Sequence, residues 1–395
     1  MNKLQKVGWG LSFLMLSERV WKQWMVARFF ERPLPVAQQS PKLVSIIQPI
    51  LSGDPTLTSC LENSLKLTCK SALEFIWLVD QEDREGRRIC QELSAQYPHC
   101  QIHLTIVPQA PVDTNPKTFK LIEGRKVAQG DVICVLDDDT MLPVDGLDVT
   151  LSFLDQPDIG LAFGLPYYVN FSNAWSSMVS AFVNSNSLLS YIPYLAFTEP
   201  FTINGMFYAL KSEILDKMGG FEAMKQILAD DFAIAHLCHT YGYKLAQTPV
   251  CHGISTQVQD AKHYTSLLQR WFIFPRESIL RHVSPFDQAI LFIIGVLPTL
   301  FPLLLLLSLL FRPGWTKFMY TLLYFGCSLT IIEHLNKAYL HRSTPLEKRW
   351  WIPVMLVLIP IQILIALLSP QRVNWRGHIV QVERGGGFKY IQRRQ

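Results

Sequence analysis

Residues 131–143 read DVICVLDDDTMLP. The five residues 132–136 form a short apolar run rich in β-branched side chains, the pattern of a buried parallel strand rather than a half-exposed alternating one. The run ends on three consecutive carboxylates, Asp137, Asp138 and Asp139, and Thr140 and Pro143 then mark a loop. In an open α/β sheet, ligands sit at the carboxyl ends of the strands. Adjacent acids there raise one another's pKa unless a positive group neutralises them. A hard divalent cation, Mg²⁺ or Mn²⁺, is the simplest neutraliser, held by one or two carboxylates and by substrate phosphates. An acidic turn capping the next helix is the alternative for an arbitrary Asp triplet. The strand in front favours a metal–diphosphate site.

Upstream, residues 42–49 (KLVSIIQP), 74–79 (EFIWLV) and 101–107 (QIHLTIV) read as further strands. Helical spacing of apolar residues places helices over 56–68, 85–96 and 117–129. Strands alternating with helices indicate a Rossmann-like, mostly parallel sheet. No G-x-G-x-x-G follows the first strand, so dinucleotide binding is not supported. Downstream, 159–167 (IGLAFGLPY) and 201–210 (FTINGMFYAL) read as strands, 171–190 as an amphipathic stretch, and 227–241 as a helix with Ala-Asp-Asp at its front.

The chain has 395 residues, 49% hydrophobic and 17% charged, with a net charge of +4. The charged fraction is below the usual quarter. No basic run interleaved with aromatics suggests a nucleic-acid surface. The eight cysteines form no C-x-x-C pair, which suits a reduced, cytoplasm-facing catalytic domain. Residues 286–311 and 350–368 are apolar and long enough to span a bilayer, and 318–332 is a shorter apolar segment. At the other end, the apolar part of residues 1–32 is interrupted by Glu18, Arg19, Lys22 and Arg28, with Trp9, Trp21 and Trp24 alongside. Trp and basic residues on one helix suit the headgroup region, favouring an interfacial helix, with a tilted span as the alternative. Lys and Arg cluster before, between and after the apolar segments, the last cluster being Arg372, Arg376 and Arg384. Three simple crossings do not place all the clusters on one side. Pro298 and Pro302 make the first segment a candidate for a re-entrant segment or a hairpin. The expected organisation is therefore a membrane-associated helix at 1–32, a catalytic domain at 42–260, an amphipathic segment at 261–285, a transmembrane region at 286–370 and a basic tail at 371–395.

Further acids fall where strand ends or a helix start are expected. Asp80 ends the second strand, Asp137 and Asp139 follow the central strand in D-x-D spacing, and Asp230-Asp231 open a helix. Arg270-Trp271 lies on the amphipathic segment. Each is weak alone, since an Asp at a helix start is usually a cap. The histidines His236, His239, His252 and His263 are close in sequence, but no cysteine set completes a zinc site. No G-x-S-x-G context supports hydrolysis.

In this order, the motifs VSIIQP (44–49), LVDQED (78–83), NPK (115–117), LDDDT (136–140), FGLPY (163–167), NGM (204–206), LADDF (228–232), RW (270–271) and WRG (375–377) resemble the family 2-type glycosyltransferases of GT-A fold. They are most similar to the ceramide glucosyltransferase-like, family 21 lipid glycosyltransferases. Leu267 departs from that pattern, standing where Gln or Arg usually precedes Arg-Trp by three residues. The resemblance implies a GT-A catalytic domain with C-terminal transmembrane helices. Asp80 would contact the nucleotide base or ribose, and Asp139, with Asp137 nearby, would bind the metal bridging the donor diphosphate. Asp231 would be the general base beside Asp230, and Arg270 and Trp271 would close over the diphosphate and acceptor. Lys117 reads either as a diphosphate contact or as a solvated helix-start lysine.

The expected activity is transfer of one sugar, by preference glucose from UDP-glucose, to a lipid hydroxyl such as that of ceramide or diacylglycerol. A single base without a covalent nucleophile implies inversion at the anomeric carbon. The expected partners are a UDP-sugar donor, a membrane lipid acceptor and the membrane, with no nucleic acid. A processive polysaccharide synthase and a non-catalytic nucleotide-sugar scaffold are the alternatives.

Overall fold

The computed structural model describes residues 3–375 and 377–394; Arg376, the centre of the 375–377 motif, lies outside them. The chain divides into two compact units. One comprises residues 33–170, 199–283 and 369–395. Its main sheet contains β1 (Leu43–Ile50), β2 (Ala72–Asp80), β3 (Gln101–Val107), β4 (Val132–Leu136), β5 (Thr140–Met141), β6 (Ile159–Tyr168), β7 (Phe207–Lys211) and β8 (Lys244–Ile254). Their order is β3-β2-β1-β4-β7-β6-β8-β5. The β1–β2, β2–β3, β1–β4 and β6–β8 pairs are parallel, whereas β7 and β5 run antiparallel to their neighbours. The sheet is thus mixed and mostly parallel, as the strand–helix alternation predicts.

All five residues of β4 are buried. The period-two geometry of a strand sorts them onto two faces. Ile133 and Val135 join Ile47, Ile76 and Leu78 in one core. Val132, Cys134 and Leu136 join Ile46, Phe75, Trp77 and Val79 in the other. Burial on both faces explains why these strands read as continuous apolar runs.

One expected strand is shorter than its sequence suggests. Of residues 201–210, only Phe207 onward pairs in β7. Asn204-Gly205-Met206 instead forms a turn whose Met206 carbonyl accepts from the Asp137 N–H at 2.9 Å.

The carboxyl-terminal tail is also folded. β9 (Arg372–Trp375), β10 (His378–Val382) and β11 (Phe388–Gln392) make an antiparallel sheet. Val373, Trp375, Val380, Val382 and Phe388 pack with Leu228 and Ile273. This apolar alternation gives the basic tail a core of its own.

The second unit comprises residues 1–32, 171–198 and 284–368. Residues 171–198, expected within the catalytic domain, group here as the helix Ala174–Tyr194. Among the described residues, three helices are long and apolar enough to cross a membrane: Pro285–Phe311, Trp315–Tyr339 and Leu346–Leu368. The middle one runs well past the apolar segment at 318–332. The first is continuous rather than a hairpin, with a π-helical stretch at Leu291–Val296 before its prolines.

Residues Lys3–Phe30 form one 28-residue helix. Two of the basic residues expected at headgroups are buried inside the unit instead. Arg19 Nε donates to the Tyr324 hydroxyl at 3.1 Å, and Lys22 pairs with Glu18 at 2.6 Å. Lys22 Nζ also donates to the Ile294 carbonyl at 2.7 Å. Pro298, four residues on, has no N–H to give that carbonyl in an α-helical register.

Candidate active site

The three acids after β4 face three different environments. Asp137 turns to Lys117, whose ammonium lies 2.8 Å from its carboxylate. Asp138 is buried and accepts from the Leu51 N–H at 2.7 Å. Asp139 accepts from Thr256 Oγ1 at 2.6 Å and lines a cavity of about 360 Å³. Tyr168, His263, Arg270 and Asn374 line the same cavity. A D-x-D spacing in extended chain sends alternate side chains to one side, but here the turn gives each acid its own partner.

Lys117 comes from the helix Pro116–Val127, whose start is fixed by its sequence. Asn115 caps it by accepting from the Lys117 and Thr118 N–H groups at 2.9 and 3.3 Å, and Pro116 occupies the first turn. The Asn115 amide also donates to the carbonyls of Ile227 and Leu228, just ahead of the second acidic pair. Lys117 then reaches Asp230 at 3.1 Å and the Gly205 carbonyl at 2.9 Å. Burial works against its charge, yet Asp137 and Asp230 hold the ammonium above its ordinary pKa. It donates to Asp137 and to the Gly205 carbonyl and pairs by charge with Asp230, which makes it a counter-ion inside the site.

Asp230 and Asp231 occupy the first turn of the helix Asp230–Thr240. A helix amino terminus favours the ionised form of a carboxylate. Burial and the neighbouring Asp230 outweigh this and push Asp231 up to about 6. Asp231 packs directly on Gly205, where an added Cβ would lie 2.9 Å from the Asp231 Cβ. The Asn-Gly-Met turn therefore needs glycine at its centre. Its Asn204 amide donates to the Gly164 carbonyl of β6 at 3.2 Å, joining the turn to the 163–167 motif.

Arg270 and Trp271 lie on the helix Ala261–Glu277, which Asp260 caps by accepting from the His263 N–H. Arg270 lines the Asp139 cavity, and Trp271 meets Tyr168 edge-on at 5.8 Å between centroids. Leu267, at the departing motif position, also lines the cavity and is otherwise buried. Asp80 lines a separate cavity of about 90 Å³ at the end of β2, paired with Lys120 at 3.0 Å. The structure thus brings Asp137, Asp230 and Lys117 into contact, and Asp139 and Arg270 into one cavity. Lys120, Tyr168, Thr256 and the residues of β9 and β10 were missed in the sequence. A second lysine three residues after Lys117, on the same face of the expected helix, was the available signal for Lys120.

Among the described residues, no three His, Cys, Asp or Glu side chains gather as a metal cluster. That excludes an all-protein cage there, not the open arrangement in which one or two carboxylates share the ion with phosphates. Asp139, held by a hydroxyl in a cavity beside an arginine, fits the open arrangement. Among the histidines, His252 is fully buried and burial pushes its imidazole down to about 3, so it is a neutral core group.

The sequence model of glycosyl transferase family 21 matches residues 9–388. The chain belongs to this family. In this family 21 glycosyltransferase, 204 residues are 22% identical to ceramide glucosyltransferase 1 of Caenorhabditis elegans, covering 51% of this chain and 43% of the relative. A stretch of 268 residues is 23% identical to the probable glycosyltransferase YdaM of Bacillus subtilis, covering 65% of this chain and 61% of the relative. The chain thus spans less than two thirds of the length of these curated relatives. A mannosyltransferase, PcManGT from Pyrobaculum calidifontis, solved in complex with GDP-Man and Mn²⁺, superposes with a TM-score of 0.57 at 16% identity. That likeness covers 92% of this chain and 99% of the other, and shows the family 21 chain to have the GT-A fold.

Proposed function

We propose that this family 21 glycosyltransferase is an inverting, membrane-bound hexosyltransferase that moves one sugar, glucose from UDP-glucose by preference, to a lipid hydroxyl such as that of ceramide or diacylglycerol. The observation that carries the proposal is that Asp139 and Arg270 line one cavity while Lys117 ties Asp137 to Asp230, beside Asp231. In this reading Asp139 holds Mg²⁺ or Mn²⁺ together with the donor diphosphate. The ion supplies Lewis-acid stabilisation of the departing phosphate oxygens. Arg270 adds a planar, bidentate cation where negative charge develops. Asp231 takes the acceptor hydroxyl's proton, and a pKa near the operating pH suits that task. Trp271 with Tyr168 forms an aromatic wall suited to the acceptor, and Asp80 contacts the nucleoside. The apolar helices Pro285–Phe311, Trp315–Tyr339 and Leu346–Leu368 hold the protein in the membrane, with the catalytic unit facing the cytoplasm.

The test is transfer from a panel of radiolabelled UDP- and GDP-sugars in membranes carrying wild-type protein or Asp231→Ala, with Mn²⁺ or EDTA. Label is expected in the organic-soluble fraction only with metal and intact Asp231. Label confined to insoluble polymer would replace this reading with a processive synthase, and nucleotide-sugar binding without transfer would replace it with a scaffold.

A further inference from the structure

We infer that the C-terminal sheet forms a wall of the donor's nucleoside site, where Arg393 and His378 select a base carrying an N–H flanked by carbonyl groups. This rests on the proposed reading of Asp80 as the nucleoside contact. The Asp80 cavity opens at the carboxyl ends of β1 and β2, where an α/β sheet places its ligands. Pro49, Asp80 and Lys120 form one side; Trp375, His378, Arg393 and Arg394 close the other. At about 90 Å³ it exceeds what a single water requires.

The chemistry of this wall is specific. Lys120 already compensates Asp80, so Arg393 and Arg394 bring positive charge that suits an anionic ligand. Arg393 is held in place, donating through Nη2 to the Ala110 carbonyl and lying 4.9 Å over the Tyr390 ring. Its Nε is nevertheless buried and has no hydrogen-bond partner among the described residues. Such orphaned donors are rare in native proteins and call for an acceptor. His378 Nδ1 accepts from the Arg394 N–H at 3.1 Å. Burial, with Arg393 and Arg394 nearby, keeps the imidazole below its ordinary pKa. A neutral ring that accepts at Nδ1 carries its proton at Nε2. The residues that line this cavity thus carry N–H donors, on Arg393 and His378, and the Asp80 carboxylate as acceptor. Carbonyl groups match the donors and the ring N–H matches the carboxylate, which describes uracil; guanine carries an amino donor on one side of its ring N–H, and adenine and cytosine have no such N–H.

The wall is fastened to the rest of the unit by backbone. The Leu228 N–H donates to Gly386 and the Gly385 N–H to Glu277, both at 2.9 Å. It is thus a fixed part of the unit.

The test uses full-length protein in detergent and equilibrium binding of UDP, GDP, ADP and CDP. Wild type is expected to prefer UDP. Arg393→Ala and His378→Phe are each expected to weaken the preferred nucleotide by about tenfold or more and to bring the four affinities together, because a site built around hydrogen bonds discriminates through them. Arg393→Lys keeps the charge but lacks the fork, so it is expected to bind without recovering the base preference. If Ala unfolds the sheet, Arg393→Gln replaces it. Base preference is a readout that loose packing alone would not reverse selectively. Retained preference in both variants, with binding lost in Asp80→Asn, would overturn the role of the wall and leave the proposed function standing. Failure of wild type to bind any of the four would sink both.

Discussion

The Lys117 ammonium meets the Asp137 carboxylate at 2.8 Å, and its other flank reaches Asp230 at 3.1 Å. One cation therefore serves the first acid of each acidic motif, on side chains that are all largely buried. Replacing it leaves two buried carboxylates without their common partner. Lys117→Met is expected to cost about 3–5 kcal/mol of stability, the usual consequence of breaking a buried ion pair from one side. Thermal unfolding in detergent checks this. A melting temperature unchanged from wild type would show the cluster to be dispensable for the fold.

With Asp231 as the proposed base, the reaction is expected to show an acid limb. Transfer that needs its ionised carboxylate is expected to fall as pH drops through about 6. Asp230→Asn removes the adjacent negative charge, one of the causes of the upward shift, and is expected to move the limb to lower pH. The stability consequence has the opposite sense. Because the folded pKa lies above the ordinary 3.8, the folded state holds the proton more tightly, and this group's contribution to stability declines as pH rises from about 4 through about 6. A pH–rate profile of both proteins decides the matter; superimposable acid limbs would remove Asp231 as the base.

Thr256 supports Asp139 through a 2.6 Å hydrogen bond. Groups that orient a metal-binding carboxylate commonly contribute about 10–100-fold to metal affinity. Thr256→Ala is expected to raise the Mn²⁺ concentration needed for half-maximal transfer by about that factor. Titration with Mn²⁺ after EDTA treatment measures it. An unaltered Mn²⁺ dependence would place the metal elsewhere than on Asp139.

What was legible in the sequence follows from which forces leave local marks. Burial on both faces made β1, β2 and β4 readable as apolar runs, and the acids at their ends marked the site's edge. The turn at Asn204-Gly205-Met206 was read as strand because its flanks are apolar; the reason it bends is the close approach of Asp231 to Gly205, a contact across 26 positions that no local pattern records. The same holds for Lys117, whose two acid partners come from two other elements. The tail was the avoidable omission. Val373, Trp375, Val380 and Val382 alternate with polar residues, and the Gly385-Gly386-Gly387 run before Phe388 is an ordinary hairpin signal. Its basic composition obscured that pattern.

The helical unit carries its own test of this kind of reasoning. Lys22 Nζ donates to the Ile294 carbonyl at 2.7 Å, the carbonyl that an α-helical residue 298 would satisfy if it were not proline. Lys22→Met is expected to cost about 1–3 kcal/mol, the penalty for leaving a buried polar group without its partner. That single value also includes the loss of the 2.6 Å pair with Glu18. A double-mutant cycle separates the two terms. In Pro298→Ala, the new N–H is available to the Ile294 carbonyl, so Lys22→Met is expected to cost less there by about 1 kcal/mol. The Glu18 contribution is common to both backgrounds and cancels. Unfolding of the four proteins in mixed micelles gives the coupling energy. Strict additivity would mean that the lysine is retained for Glu18 alone and that the helix tolerates its proline without help.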